Sequence, residues 1–220
     1  MRMPRQFSLL VFDWDGTLMD SAGAIVASLL ASCRDLDLPE PSDAHARHII
    51  GLGINEAIAA LLPQLDAADY PRFTERYRHH FLGQDHEIPL FAGVHDAISG
   101  LHDAGFMLAV ATGKSRRGLD RALRHTGLDE FFQGSRCADE TFSKPHPAML
   151  LELMDEFGVA PRQTLMIGDT THDLQMAHNA GVPSLAAAYG AHPKDGLLSL
   201  APLACADSFA ELNQWLTANA

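Results

Sequence analysis

Short apolar runs alternate along the chain with longer stretches in which apolar side chains recur every three or four positions. The runs lie at residues 8–12, 107–111, 164–167, 184–187 and 204–206. Strands of a parallel sheet read this way, because helices cover both faces and neither face is wetted. The intervening stretches at 94–104, 116–125, 147–157 and 171–180 carry helical spacing, and 209–216 closes the chain with another helix. The alternation predicts an α/β protein with a doubly wound parallel sheet.

From Ala22 to about Gln84 this rhythm breaks. Val26, Leu29, Leu30 and Cys33 fall at helical spacing, and so do Ile54, Ile58, Leu61, Leu62 and Leu65, so the stretch reads as an all-helical insertion after the first strand. Pro89 and Gly93 restore the βα rhythm. The expected division is a core of residues 1–19 and 89–220 and a helical cap of residues 20–88, with linkers near Asp20 and Ile88.

Composition narrows the possible partners. At 220 residues the chain can bury a core without covalent staples. A net charge of -12 repels the phosphate backbone that a non-specific nucleic-acid binder must attract. Cys33, Cys137 and Cys205 are odd in number, far apart and without CxxC spacing, which argues against a disulfide framework or a structural zinc and suits a reducing cytoplasm. The apolar run ending at Phe12 is too short for a signal-peptide core, and no stretch approaches the roughly 18 to 20 apolar residues of a membrane span. Neither nucleic acid nor membrane is expected as a partner, and a monomer or homodimer is expected.

In open parallel sheets, ligands bind beyond the carboxyl ends of the strands. Asp13 and Asp15 follow the first run, Thr112 the second and Asp169 the third. Three carboxylates in one crevice raise each other's pKa unless a cation neutralises them, and oxygen donors without nearby His or Cys favour magnesium. Asp173 stands one helical turn after Asp169 and could join that ion directly or through water. Lys144, the Thr112 hydroxyl and the Gly113 amide supply the positive and donor groups that a phosphate dianion needs.

At this point the residues resemble a known family. Asp13-Trp14-Asp15-Gly16-Thr17-Leu18-Met19-Asp20-Ser21 is similar to the first motif of the haloacid dehalogenase superfamily in its phosphatase form. Ala111-Thr112-Gly113-Lys114, Ser143-Lys144-Pro145 and the segment from Gly168 to Asp173 resemble the second, third and fourth motifs, in order. Residues 89–94 and 179–183, with Arg47, Gly51 and Gly53 in the insertion, resemble a phosphoglycolate-phosphatase-like subgroup. The resemblance implies a Rossmann-like core and a small phosphorylated metabolite as substrate. It further implies Asp13 as nucleophile, Asp15 as general acid and base, Thr112 and Lys144 as phosphate anchors, and Asp169 completing a magnesium site with Asp13, Asp15 and Asp173. Thr112, Gly113, Lys144 and Arg47 are the candidate substrate contacts. Gly113 departs from the pattern, since many relatives carry Asn there.

Other readings attach to the same residues. A phosphomutase would return the phosphoryl group to a second sugar hydroxyl, and a receiver-type signalling domain would also gather a phosphorylatable Asp, a Thr and a Lys at strand ends. Receivers are about half this length and lack the insertion; a dehalogenase of the family would have no use for Asp15. The basic run from Lys114 to Arg124 reads mainly as a solvated helix face. His172 and His178 read as structural, His79 and His80 point apart, and Asp20 with Ser21 is expected to cap the first insertion helix.

Overall fold

The structure is a computed structural model in which residues 6–220 are described. Residues 1–5 of the expected core lie outside that range. Among the described residues, six parallel strands form one sheet, in the order β3-β2-β1-β4-β5-β6. They are β1 (Leu9–Phe12), β2 (Met107–Thr112), β3 (Gly134–Cys137), β4 (Thr164–Gly168), β5 (Ser184–Ala187) and β6 (Ala204–Ala206). β1 is central, pairing Phe12 with Val110 on one side and with Ile167 on the other.

Alternation along β1 sends its side chains to two separate cores. Leu10 and Phe12 join the layer built on α5 (Val94–Asp103), α6 (Arg116–Thr126) and α10 (Phe209–Asn219). Leu9 and Val11 face α7 (Ala148–Phe157) and α8 (Thr171–Ala180). Both faces are dry, as the unbroken apolar run requires, so β1 tolerates no polar residue before Asp13. Strand order reverses between β1 and β4, and a crevice opens at such a switch point beyond the carboxyl ends.

β3 was not expected from the sequence. Its Gly-Ser-Arg-Cys is an edge strand with only Cys137 fully buried, so it carries no apolar run. A short helix, α9 (Lys194–Leu198), was also unread.

Between β1 and α5 the chain forms α1 (Ala22–Asp35), α2 (Asp43–His48), α3 (Ile54–Leu61) and α4 (Tyr70–Leu82), with two short 3-10 turns. The apolar stripe Ile25, Val26, Leu29 and Cys33 of α1 is buried, with Phe73 and Phe81 of the adjoining α4. The two connections to the sheet run side by side. Asp20 N donates to Pro89 O (3.0 Å), Phe91 N donates to Leu18 O (3.0 Å), and Met19 bridges Leu90 antiparallel. No helix among the described residues is long and apolar enough to cross a membrane.

Candidate active site

Asp13 leaves β1 at the switch point with its side chain fully buried. Trp14 N donates to its Oδ1 (2.6 Å), and Lys144 Nζ stands 2.8 Å from the same oxygen. Its Oδ2 is buried with no hydrogen-bond partner among the described residues. A buried carboxylate oxygen left without a donor is costly unless a ligand completes it.

Asp169 follows β4 directly across from Asp13. Thr17 Oγ1 donates to its Oδ1 (2.8 Å) and Ala191 N to its Oδ2 (2.7 Å). Gly16, at φ 79°, passes so close that a Cβ there would strike the Asp169 carboxylate. Thus glycine is needed in the turn after Asp15 for both its backbone angle and its lack of a side chain. Asp173 sits in the first turn of α8 and forms a capping box with Thr170. Its Oδ2 accepts from Thr170 N (3.0 Å) and Oγ1 (2.7 Å), which leaves Oδ1 turned to Lys144 Nζ at 2.6 Å.

Carboxylate oxygens of Asp13, Asp169 and Asp173, one from each, all lie within 4.8 Å of one another. Burial first, then the charges of its acidic neighbours, push the Asp13 carboxyl well above its ordinary value, although Lys144 opposes this. Burial and then Asp173 raise Asp169 to about 7, against the pull of Ala191 N and Thr17. Burial disfavours the Lys144 ammonium, yet Asp13 and Asp173 outweigh it and hold its pKa up. One cation among three buried carboxylates leaves negative charge uncompensated. An all-oxygen donor set with that excess and a free oxygen on Asp13 fits a hard divalent cation such as magnesium.

The carboxylate of Asp15 does not join this cluster. Ser21 Oγ donates to its Oδ1 (2.6 Å) and Lys114 Nζ lies 2.9 Å from the same oxygen. Ser21 is therefore not the side-chain cap expected of it: it stands at the N-cap of α1 without a capping hydrogen bond, and its hydroxyl serves Asp15 instead. Thr112 ends β2, fully buried, where its Oγ1 accepts from Lys114 N (3.2 Å). Arg47, on α2, pairs with Asp43 (2.8 Å).

Gly113 has a steric reason to be glycine. A Cβ there would strike Leu52 O and stand 2.6 Å from Gly51 O, both backbone atoms of the loop between α2 and α3. That loop also donates Gly53 N to Ser143 Oγ (2.7 Å). The insertion thus rests directly on the phosphate-anchor candidates. Gly113→Asn is expected to displace the loop, since inserting atoms into a filled contact costs about 1–3 kcal/mol. Faster hydrogen exchange at residues 49–53, with turnover lowered about 10-fold or more through lost positioning, is the expected outcome; wild-type exchange and turnover would contradict it.

A second contact between insertion and sheet escaped the sequence. His172 Nε2 (2.7 Å) and His192 Nε2 (3.1 Å) both meet the carbonyl oxygen of His48. The His48 and His192 rings stack at 5.0 Å, and burial lowers the pKa of both core histidines. Two neutral imidazoles donating to one carbonyl hold the end of α2 over α8. His192 lies 144 positions from His48, so no local spacing announces the pair.

Acidic groups converge at a switch point of the sheet, beside a helical insertion, as a candidate reactive centre in an α/β protein. The family profile described as haloacid dehalogenase-like hydrolase matches residues 10–187, and the chain belongs to that family. A probable phosphatase, IndB, of Dickeya dadantii (strain 3937) is 34% identical over 210 residues, covering 93% of this chain and 91% of the relative. A phosphoglycolate phosphatase of Agrobacterium fabrum is 31% identical over 213 residues, covering 93% and 90%. The crystal structure of a hydrolase from Pseudomonas syringae superposes with a TM-score of 0.89 at 20% identity, over 97% of this chain and 99% of that one, and shares its fold.

Proposed function

We propose that the protein is a magnesium-dependent phosphatase that hydrolyses a small phosphorylated metabolite, with phosphoglycolate phosphatases among the proteins it resembles. The observation that carries this reading is the buried Oδ2 of Asp13, without a partner, beside Lys144 and two further carboxylates. Asp13, Asp169 and Asp173 would hold the ion, which when bound offsets charge on the phosphoryl oxygens.

In the first step a carboxylate oxygen of Asp13 attacks phosphorus as the ester P–O bond breaks. The leaving alkoxide takes a proton from the Asp15 carboxyl. Water then attacks the phosphorus of the aspartyl-phosphate and gives its proton to the Asp15 carboxylate; the Asp13–phosphorus bond breaks, and inorganic phosphate leaves. Lys144 and Thr112 would hold the phosphoryl group through both steps, with the amide of Gly113 as a further donor. The Lys144 ammonium, kept charged by Asp13 and Asp173, suits a dianion.

Asp15→Asn separates the two steps. Without a proton acceptor for water, the aspartyl-phosphate is expected to form slowly and to persist. Acid-quenched labelling should then find phosphate on the protein while steady-state release falls about 100-fold or more. Release at the wild-type rate would remove Asp15 from the mechanism.

A further inference from the structure

Between the insertion and the sheet lies a chamber of about 440 Å³ that opens on Asp15. Glycolate, the leaving group of phosphoglycolate, has five non-hydrogen atoms and fills on the order of 100 Å³ at interior packing density. Most of the chamber would remain water. One part of its lining is apolar, made by Ile25 and Leu29 of α1, Ile54 of α3, and Tyr77 and Phe81 of α4, while Glu56, Arg78, Lys114, Arg117, Arg121 and Asp139 also line it. The rings of Tyr77 and Phe81 stack on each other at 5.7 Å and 19°. A cavity of this size that sets an aromatic and aliphatic wall beside charged and polar groups matches sites that take ring-bearing polar ligands.

Polar groups share the chamber with this apolar wall. The Tyr77 hydroxyl has no hydrogen-bond partner among the described residues, and Tyr77 lines the same chamber as Asp15. Lys114 Nζ lies 2.9 Å from Asp15 Oδ1 and 4.8 Å over the Phe81 ring. Arg117 lines the outer part of the chamber and is exposed.

We propose that the substrate is the phosphate ester of an alcohol bearing an aromatic or heteroaromatic ring. The ring would lie against the apolar wall formed by α1, α3 and α4, and its polar edge would meet Tyr77. Tyr77, Phe81 and Ile54 are then specificity-determining residues. The proposal rests on the phosphatase reading and narrows its substrate.

Two matched pairs of esters test it with magnesium present: benzyl phosphate against ethyl phosphate, and pyridoxal 5′-phosphate against phosphoglycolate. The ring-bearing member of each pair is expected to have a kcat/KM about 10- to 100-fold higher, the range set by burying one more apolar group of that size. Ile54→Trp, which fills the chamber at a half-buried position, is expected to bring the benzyl-to-ethyl ratio towards one. Calorimetric titration with benzylphosphonate and ethylphosphonate, which cannot be hydrolysed, should give the same order of affinity in the wild type. Equal or better efficiency on ethyl phosphate and phosphoglycolate would overturn this proposal alone. Hydrolysis of none of the four esters would overturn the phosphatase reading with it.

Discussion

Asp13→Asn is expected to abolish both phosphate release and labelling of the protein, with a loss of at least about 10⁴-fold, because the amide cannot attack phosphorus. The same change should leave the fold intact. Asp13 is fully buried, and its charge is disfavoured first by burial and then by Asp173 and Asp169. Asparagine keeps the shape without that charge, and Lys144 retains its contact with Asp173. The melting temperature without magnesium should therefore be unchanged or higher. Ordinary turnover of any phosphate ester by Asp13→Asn would overturn the nucleophile assignment, and a large fall in melting temperature would contradict the electrostatic account.

Lys144→Met is expected to do the opposite to stability. The Lys144 side chain is fully buried between Asp13 and Asp173, and removing one partner from a buried ionic group costs about 3–5 kcal/mol. For a chain of this length that lowers the melting temperature by roughly 6–20 °C. The size of the effect depends on pH with a defined sign. Asp13 and Asp169 have folded pKa values raised above their ordinary value of 3.8, Asp169 to about 7. In that window the folded state holds more protons than the unfolded chain, so metal-free stability falls as pH rises from about 4 to 7. The penalty for losing Lys144 should follow the same course, being small near pH 4 and largest above pH 7. Magnesium, binding only the folded protein, should restore about 3 kcal/mol at a hundredfold excess over its dissociation constant. Thermal melts of both proteins at pH 5 and pH 8, with and without magnesium, measure this directly. A magnesium shift that is larger at pH 5 than at pH 8 would contradict the assignment of the acidic cluster as the ion site.

Much of this site could be read before any coordinates, because strand-end acids announce themselves. An apolar run such as LLVF that ends abruptly in Asp13 has no packing reason to stop there, and TLMIG ending in Asp169 repeats the signal. Both strands and both carboxylates fall where the sequence puts them. The insertion was legible through its helical spacing, though α2 was not separately read and α4 only as part of the helical stretch. Long-range contacts were the illegible part. β3 has no apolar run because an edge strand needs none. The sequence places Asp15 beside Asp13, but only the Ser21 and Lys114 contacts turn its carboxylate away from the acidic cluster. Gly113, which departs from the Asn of many relatives, turns out to be the clearance for the loop carrying Gly51 and Leu52. Arg47, a candidate substrate contact by resemblance, pairs with Asp43, four residues before it on the same helix.

The antiparallel bridge of Met19 with Leu90 has a consequence for how such a protein can diversify. The helical segment leaves and rejoins the sheet through neighbouring backbone, so a replacement of any length need only match two adjacent ends. New lids could be grafted at that junction while β1 and β4 keep their register. The chemistry would stay fixed as the recognised alcohol changed.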